Sequence, residues 1–254
     1  ALTSPQEKAR CLRTGGIVSV NQRGLLRNPD AIVSLGEFTG QTLFAAYAGC
    51  FQGTSTGDNF RFVRHFWECN DWTSVRFFQG PSDKTKPYGG RESVVLWNDV
   101  ETFDGAAIRG DSAWGRKGVA IGQMRSLPAT LYSGHLFSNS TPVIIPKDPQ
   151  DLPAVWCFCT STEFFDGLRA INPKLSVDNG YVSKIEVDFS RWREEAGARY
   201  PHGLPKPYSD DPTQWVFHGH PVPSIDPLQV AVARLVGYRW PAETQDKMDL
   251  SSEA

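Results

Sequence analysis

Apolar and polar positions change their spacing repeatedly along the chain, and each change marks an element. Residues 3–13, Thr-Ser-Pro-Gln-Glu-Lys-Ala-Arg-Cys-Leu-Arg, combine a capping hydroxyl, a proline near the first turn and good helix formers. They predict a helix that Gly15-Gly16 stops. An alternating stretch follows at Ile17-Val18-Ser19-Val20, then an Asn28-Pro29-Asp30 turn and the apolar run Ala31-Ile32-Val33-Ser34-Leu35. Thr42 to Ala48 is apolar enough for a short helix running into Gly49.

From Cys50 to Pro146 the pattern becomes one of short apolar or aromatic runs: Phe60–Trp67, Ser74–Phe78, Ser93–Trp97, Gly118–Gly122, Thr130–Tyr132 and Pro142–Ile145. Gly, Pro, Asn, Asp and Ser separate them, which predicts an antiparallel or barrel-like β region. The period then switches. Leu152, Val155, Trp156, Cys159, Phe164, Leu168 and Ile171 fit one helical face, closed by Asn172-Pro173. Tyr181 to Phe189 predicts a strand. Residues 200–227, rich in Pro, Gly and His, predict an extended wrapping segment, and Leu228–Val236 a compact apolar helix closed by Gly237, before a frayed polar end. The expected fold is α+β. Residues 1–49 form a helical and linking segment, 50–147 a β-rich lobe, and 148–254 a helix-strand unit with an extended C-terminal tail carrying a short helix.

Composition narrows the class. At 254 residues the chain holds one large domain or two small ones, and 40% hydrophobic with 21% charged residues is ordinary for a globular protein. Aromatics are abundant at 12%, enough to fill a core and still furnish a binding surface. No stretch approaches the roughly 20 apolar residues of a membrane helix, and the start carries no charged-then-apolar leader. Five scattered cysteines, Cys11, Cys50, Cys69, Cys157 and Cys159, suit reduced thiols in a cytoplasmic protein. Beginning at Ala1 inside a helix pattern, the chain reads as a piece of something longer. Its formal charge of −2 argues against a free-standing nucleic-acid binder, though not against a domain sharing a duplex with a more basic partner.

Catalytic patterns are missing from the sequence: there is no phosphate-cradling GxxxxGK[ST] loop, no GxGxxG after a strand and no GxSxG elbow. His218 and His220 share a strand face and Cys157 and Cys159 offer thiols, but neither spacing matches the usual zinc pairs. A Pro/Gly-rich polar loop and two core thiols on a helix are the simpler explanation.

Three segments have binding chemistry. Gly53 to Arg64 joins a Gly-rich turn, whose N–H groups suit phosphate oxygens, to Asp58, Asn59, Arg61 and Arg64; it also fits a tight turn with two solvated arginines. Lys84-Thr85-Lys86-Pro87-Tyr88-Gly89-Gly90-Arg91 gathers cations and a stacking ring, suited to a DNA backbone or equally to an exposed hairpin tip. In Gly122 to Pro128, Gln123 and Arg125 can make bidentate base contacts, unless Arg125 is buried holding loop carbonyls.

Thr56-Gly57-Asp58-Asn59 with Arg61-Phe62-Val63-Arg64 and Phe66-Trp67-Glu68 resembles the opening of a target-recognition domain. Such domains belong to the large adenine methyltransferases of type IIG restriction–modification and of BREX- and DISARM-type phage defence. Tyr88-Gly89-Gly90 followed by Val94-Val95-Leu96-Trp97-Asn98 resembles their next block. The helix from Leu152, Ile171 to Val177 and the stretch to Val187 resemble the helix-to-strand unit of TaqI-like C-terminal specificity domains. Tyr208 to Trp215 and Leu228 to Pro241 are also similar to this group, so the resemblance runs from about residue 20 onward.

The resemblance implies double-stranded DNA as partner. It also implies a methyltransferase catalytic domain, in the same or a separate polypeptide, that uses S-adenosylmethionine. The Asn/Asp-Pro-Pro-Tyr/Phe loop such catalysis requires is absent; Asn28-Pro29-Asp30 and Asn172-Pro173-Lys174 lack the second Pro and the ring. The Gly-rich S-adenosylmethionine loop is absent too, so no catalytic residue is expected here. Arg61, Arg64, Lys86 and Arg91 are the expected phosphate contacts, and Gln123 and Arg125 the base contacts. Thr56, Gly57, Asp58, Asn59, Lys84 and Tyr88 complete the expected DNA-binding set. The competing expectations are a protein-interaction module of a defence complex, favoured by the near-neutral charge, and a hydrolase, which requires His218 and His220 to bind metal.

Overall fold

The computed structural model describes residues 4–16, 19, 21–26, 28, 40–69, 71, 73–205, 228, 231, 232 and 235. The apolar run at 31–35, the wrapping segment beyond residue 205, His218 and His220, and the Tyr208 to Trp215 stretch lie outside them. So does most of the helix expected at 228–236, of which the described positions are helical.

Helix α1 (Pro5–Thr14) starts where its sequence says it should. Ser4 Oγ accepts from the Glu7 amide at 3.1 Å while the Glu7 carboxylate accepts from the Ser4 amide, a reciprocal capping box that satisfies two orphan donors. Helix α2 (Gln22–Leu25) is a single turn capped by Asn21. Thr42–Ala48, expected to be a helix, yields only a 3-10 turn at Phe44–Ala46 and then enters strand β1 (Ala48–Phe51).

The run expected as β from Phe60 divides. Asp58 caps helix α3 (Asn59–Phe62), and β2 (Val63–His65) follows directly. Beyond it come β3 (Val75–Gln79), β4 (Ser93–Leu96), helix α4 (Trp97–Glu101), β5 (Gly118–Ile121), β6 (Ala129–Tyr132), β7 (Leu136–Phe137) and β8 (Val143–Pro146). They form two four-stranded sheets, ordered β1-β8-β5-β6 and β2-β4-β3-β7. Pairings are antiparallel except β3 with β7.

The first sheet is buried on both faces, which is why its strands read as unbroken apolar runs rather than alternating ones. Val119, Ile121, Leu131 and Ile144 pack on the helices, whereas Ala120, Tyr132, Val143 and Ile145 pack on Phe137 and Ala113. The second sheet divides in the same way, Phe78 and Val95 on one face with Phe62 and Trp97, Phe77 and Val94 on the other with Phe66.

The single helical face expected over 150–170 is two helices, α5 (Leu152–Cys159) and α6 (Thr162–Ile171). Ser161 Oγ accepts from the Phe164 amide at 3.1 Å and so restarts the helix as an N-cap. Every residue of α5 from Ala154 to Cys159 is buried, while α6 buries only Phe164, Leu168 and Ile171. The strand expected at Tyr181–Phe189 is not formed. Helix α7 (Asn179–Val182) takes its start, and Glu186 makes an isolated bridge to Leu43. Val182, Ile185, Val187 and Phe189 are buried, so the alternation that suggests a strand is present from Ile185 on, but helices take both ends of the segment. Asp188 then caps helix α8 (Phe189–Arg199), which lies on α5 through Phe189, Trp192 and Ala196 and is clamped by a two-pronged Arg193–Asp151 pair at 2.7 and 2.8 Å. The β-rich lobe and the helices after residue 147 therefore share one core.

Candidate nucleic-acid interface

The outer edge of β6 is where the second and third sequence-predicted segments meet. The chain between β3 and β4 folds back on itself, with the Gly80 amide on the Gly90 carbonyl at 2.7 Å and Gln79 Nε2 on the Gly89 carbonyl at 3.0 Å. Its far limb then straps along β6. The Lys86 amide donates to the Ala129 carbonyl at 3.2 Å, and the Leu131 amide to the Pro87 carbonyl at 2.8 Å. Thr85 Oγ1 accepts from the Ala129 amide at 3.2 Å. This places Lys84, exposed, and Lys86, half-buried, beside the turn that joins β5 to β6. Lys86 Nζ is 4.0 Å from Asp83, a solvent-exposed pair of little energetic weight.

The β5–β6 turn itself is strained and held from outside. Arg125 and Leu127 have φ of +56° and +51°, left-handed values that cost a non-glycine residue about 1–2 kcal/mol each. Burial of Leu127, 3% exposed, offsets this by roughly 2 kcal/mol. Arg169, in the last turn of α6, staples the tip: Nη2 donates to the Arg125 carbonyl at 2.7 Å and to that of Leu175 at 3.4 Å, and Nη1 donates to the Lys174 carbonyl. Met124 bridges to Ser176, and the Val177 amide donates to the Gln123 carbonyl at 3.0 Å. The Arg125 side chain points outward and is exposed; it is its carbonyl, not its guanidinium, that the fold uses. Gln123 is half-buried. Among the described residues neither Lys84 nor Arg125 spends its side-chain charge on a partner.

Two other members of the expected set turn inward. Arg91 is 4% exposed, its guanidinium 5.3 Å from the Tyr88 ring centroid, so it cannot serve as a surface phosphate contact. Tyr88 is half-buried and donates its hydroxyl proton to the Pro205 carbonyl at 2.7 Å.

The Thr56 to Arg64 block stands apart, against residues 103–107. Thr56 is 1% exposed and donates to Asn59 Oδ1 at 2.6 Å; Asp58 accepts from the Arg61 amide at 3.0 Å. Gly57 has φ +76°, and a Cβ there would lie 2.4 Å from the Gly105 carbonyl oxygen. Arg61 lies over the Phe62 and Phe103 rings at 4.8 and 5.5 Å. Arg64 donates to the carbonyls of Phe60 and Val63 at 3.0 and 2.8 Å. Thr56, Asp58 and Arg64 are thus engaged in shaping the turn, and Thr56 has no surface to offer.

Arg169 and Lys174 were missed in the sequence. Arg169 reads there as an ordinary basic residue in a helix's last turn, and only the tertiary approach of α6 to the β5–β6 turn gives it a role.

No cluster of His, Cys, Asp or Glu that could hold a metal occurs among the described residues. The thiols of the zinc alternative, Cys157 and Cys159, are buried in the α5 core, and burial raises the pKa of both. Burial likewise pushes Cys50 up to about 12, so these are packing groups and not nucleophiles. No helix among the described residues is long and apolar enough to cross a membrane. No family model matches the chain, and none of the curated proteins is significantly similar to it.

Proposed function

We propose that this chain grips and reads double-stranded DNA for an N6-adenine methyltransferase of a restriction–modification or phage-defence system. The methyl donor, S-adenosylmethionine, and the catalytic loop belong to a separate catalytic domain. The observation that carries the reading is the stapled β5–β6 turn. It sets Arg125 outward with Gln123 beside it on a rigid base, next to Lys84 and Lys86 on the strap along β6. Cations that the fold does not consume suit phosphate oxygens, and a fixed Arg–Gln pair suits base edges. The motifs that resemble target-recognition domains supply the methyltransferase context.

A fluorescence-polarisation titration of duplex DNA across 50–200 mM salt tests this. Lys84 and Lys86 on phosphates predict a slope of log K on log salt of about −2. The net charge of −2 favours a second reading, a module that docks on protein within a defence complex. That reading predicts no salt-dependent duplex binding at all.

A further inference from the structure

The β5–β6 turn is one half of a two-stranded unit whose other half is the segment after α6. Met124 and Ser176 form an antiparallel bridge. On one side of it the Val177 amide donates to the Gln123 carbonyl at 3.0 Å. On the other, Arg169 Nη2 ties the carbonyls of Arg125 and Leu175 together, at 2.7 and 3.4 Å. Residues directly opposite in an antiparallel pair send their side chains to the same face, with Cβ atoms about 4.5–5.5 Å apart. Met124 and Ser176 therefore stand side by side. Their face is the outer one: Met124 is 46% exposed and Ser176 is exposed, while the next residue, Val177, is buried. The Ser176 hydroxyl spends no hydrogen bond on another described residue. Arg125 and Lys174, both exposed, lie within two residues of the pair and draw an anionic ligand to it.

A thioether beside a free hydroxyl matches the chemistry of one kind of base edge. In the major groove an A·T pair shows an apolar group, the thymine C5-methyl, next to purine acceptors and donors; the minor groove shows no methyl. That groove also admits a two-stranded ribbon. Stacked pairs are about 3.4 Å apart, so side chains about 5 Å apart reach one base pair or two neighbours. Resting on the DNA reading above, we propose that Met124 and Ser176 read A·T in the major groove. Met124 packs on a thymine C5-methyl, and Ser176 donates to a purine N7 of the same or the adjacent pair. The ties on either side of the bridge hold the two side chains in fixed relative position, which base reading requires.

The test first selects, from a randomised duplex pool at low salt, the sequence that the 254-residue chain prefers. Each thymine of that duplex is then replaced singly by deoxyuridine, which deletes only the C5-methyl, and each purine by its 7-deaza analogue, which deletes only the N7 acceptor. At one thymine the missing methyl is expected to weaken binding about fourfold, the worth of one buried methyl group. Met124→Ala alters an exposed side chain. It is expected to bind the thymine and deoxyuridine duplexes equally at that position, with salt slope and melting temperature unchanged, and Met124→Leu to retain the penalty. Ser176→Ala is expected to lose the 7-deaza penalty at one purine of the same or the adjacent pair. Penalties unchanged in either alanine variant, a preferred site without thymine, or salt-dependent binding with no sequence preference overturns the A·T reading and leaves the DNA reading standing. Absence of salt-dependent binding to any duplex overturns both.

Discussion

Thr56–Arg64 and the loops at the β6 edge hold similar residues: glycines, amides and cations within a short span. In the first, Thr56 bonds Asn59, Asp58 caps α3, Arg64 closes on the carbonyls of Phe60 and Val63, and Arg61 lies on two rings. In the second, backbone groups and the side chains of Gln79, Thr85, Tyr88 and Arg169 make the structural bonds, and Lys84 and Arg125 leave their charges to solvent. Residue types suited to a ligand are equally suited to the chain's own orphan groups. What separates the two cases is whether the cations are themselves taken up in holding the fold, as Arg64 and Arg61 are, or left outside it, as Lys84 and Arg125 are.

That contrast can be broken most forcefully at Gly57. Gly57→Ala puts a side chain on a left-handed residue and against the Gly105 carbonyl, and is expected to cost more than about 2 kcal/mol in urea unfolding. A neutral result would mean that the first block does not brace the fold. Next in size, Lys84→Ala with Arg125→Ala should reduce duplex affinity roughly tenfold, about 1.4 kcal/mol, and flatten the salt slope by about 1. Stability in the same variant should stay within about 0.5 kcal/mol. A large loss of stability instead would place these cations in the framework and erase the difference between the regions. Asp58→Ala should cost about 1 kcal/mol of stability through the lost cap and leave the salt slope alone. The smallest effect is expected at Arg61→Ala, under about 0.5 kcal/mol for an exposed cation over a ring, again with an unchanged salt slope. A flattened slope there would return the first block to the interface.

The α+β class was legible because its signals are local. Ser4 and Glu7 announce α1, and glycines and prolines bracket the apolar runs of β5, β6 and β8. Where local signals conflicted, caps prevailed over periodicity. Ser161 split an uninterrupted apolar face into α5 and α6, and Asp58 and Asp188 began helices where apolar runs suggested strands. The candidate site was legible only as a set of segments. Nothing in the sequence tells that Arg91 goes inside and Arg125 outside, since both follow short glycine-containing turns. Their fates depend on which loop is strapped under the Tyr88 ring and which is held by α6, contacts between residues far apart in the chain.

The staple on the β5–β6 turn has one more consequence. Arg169 and the Val177 amide hold that turn through the carbonyl oxygens of Arg125 and Gln123, atoms every amino acid possesses. Side chains at 123, 124, 125 and 126 can therefore be exchanged without touching what fixes their position, save for the left-handed backbone at 125. The tip is a cassette. A lineage, or an engineer, could rewrite what it presents while the socket that receives it stays the same.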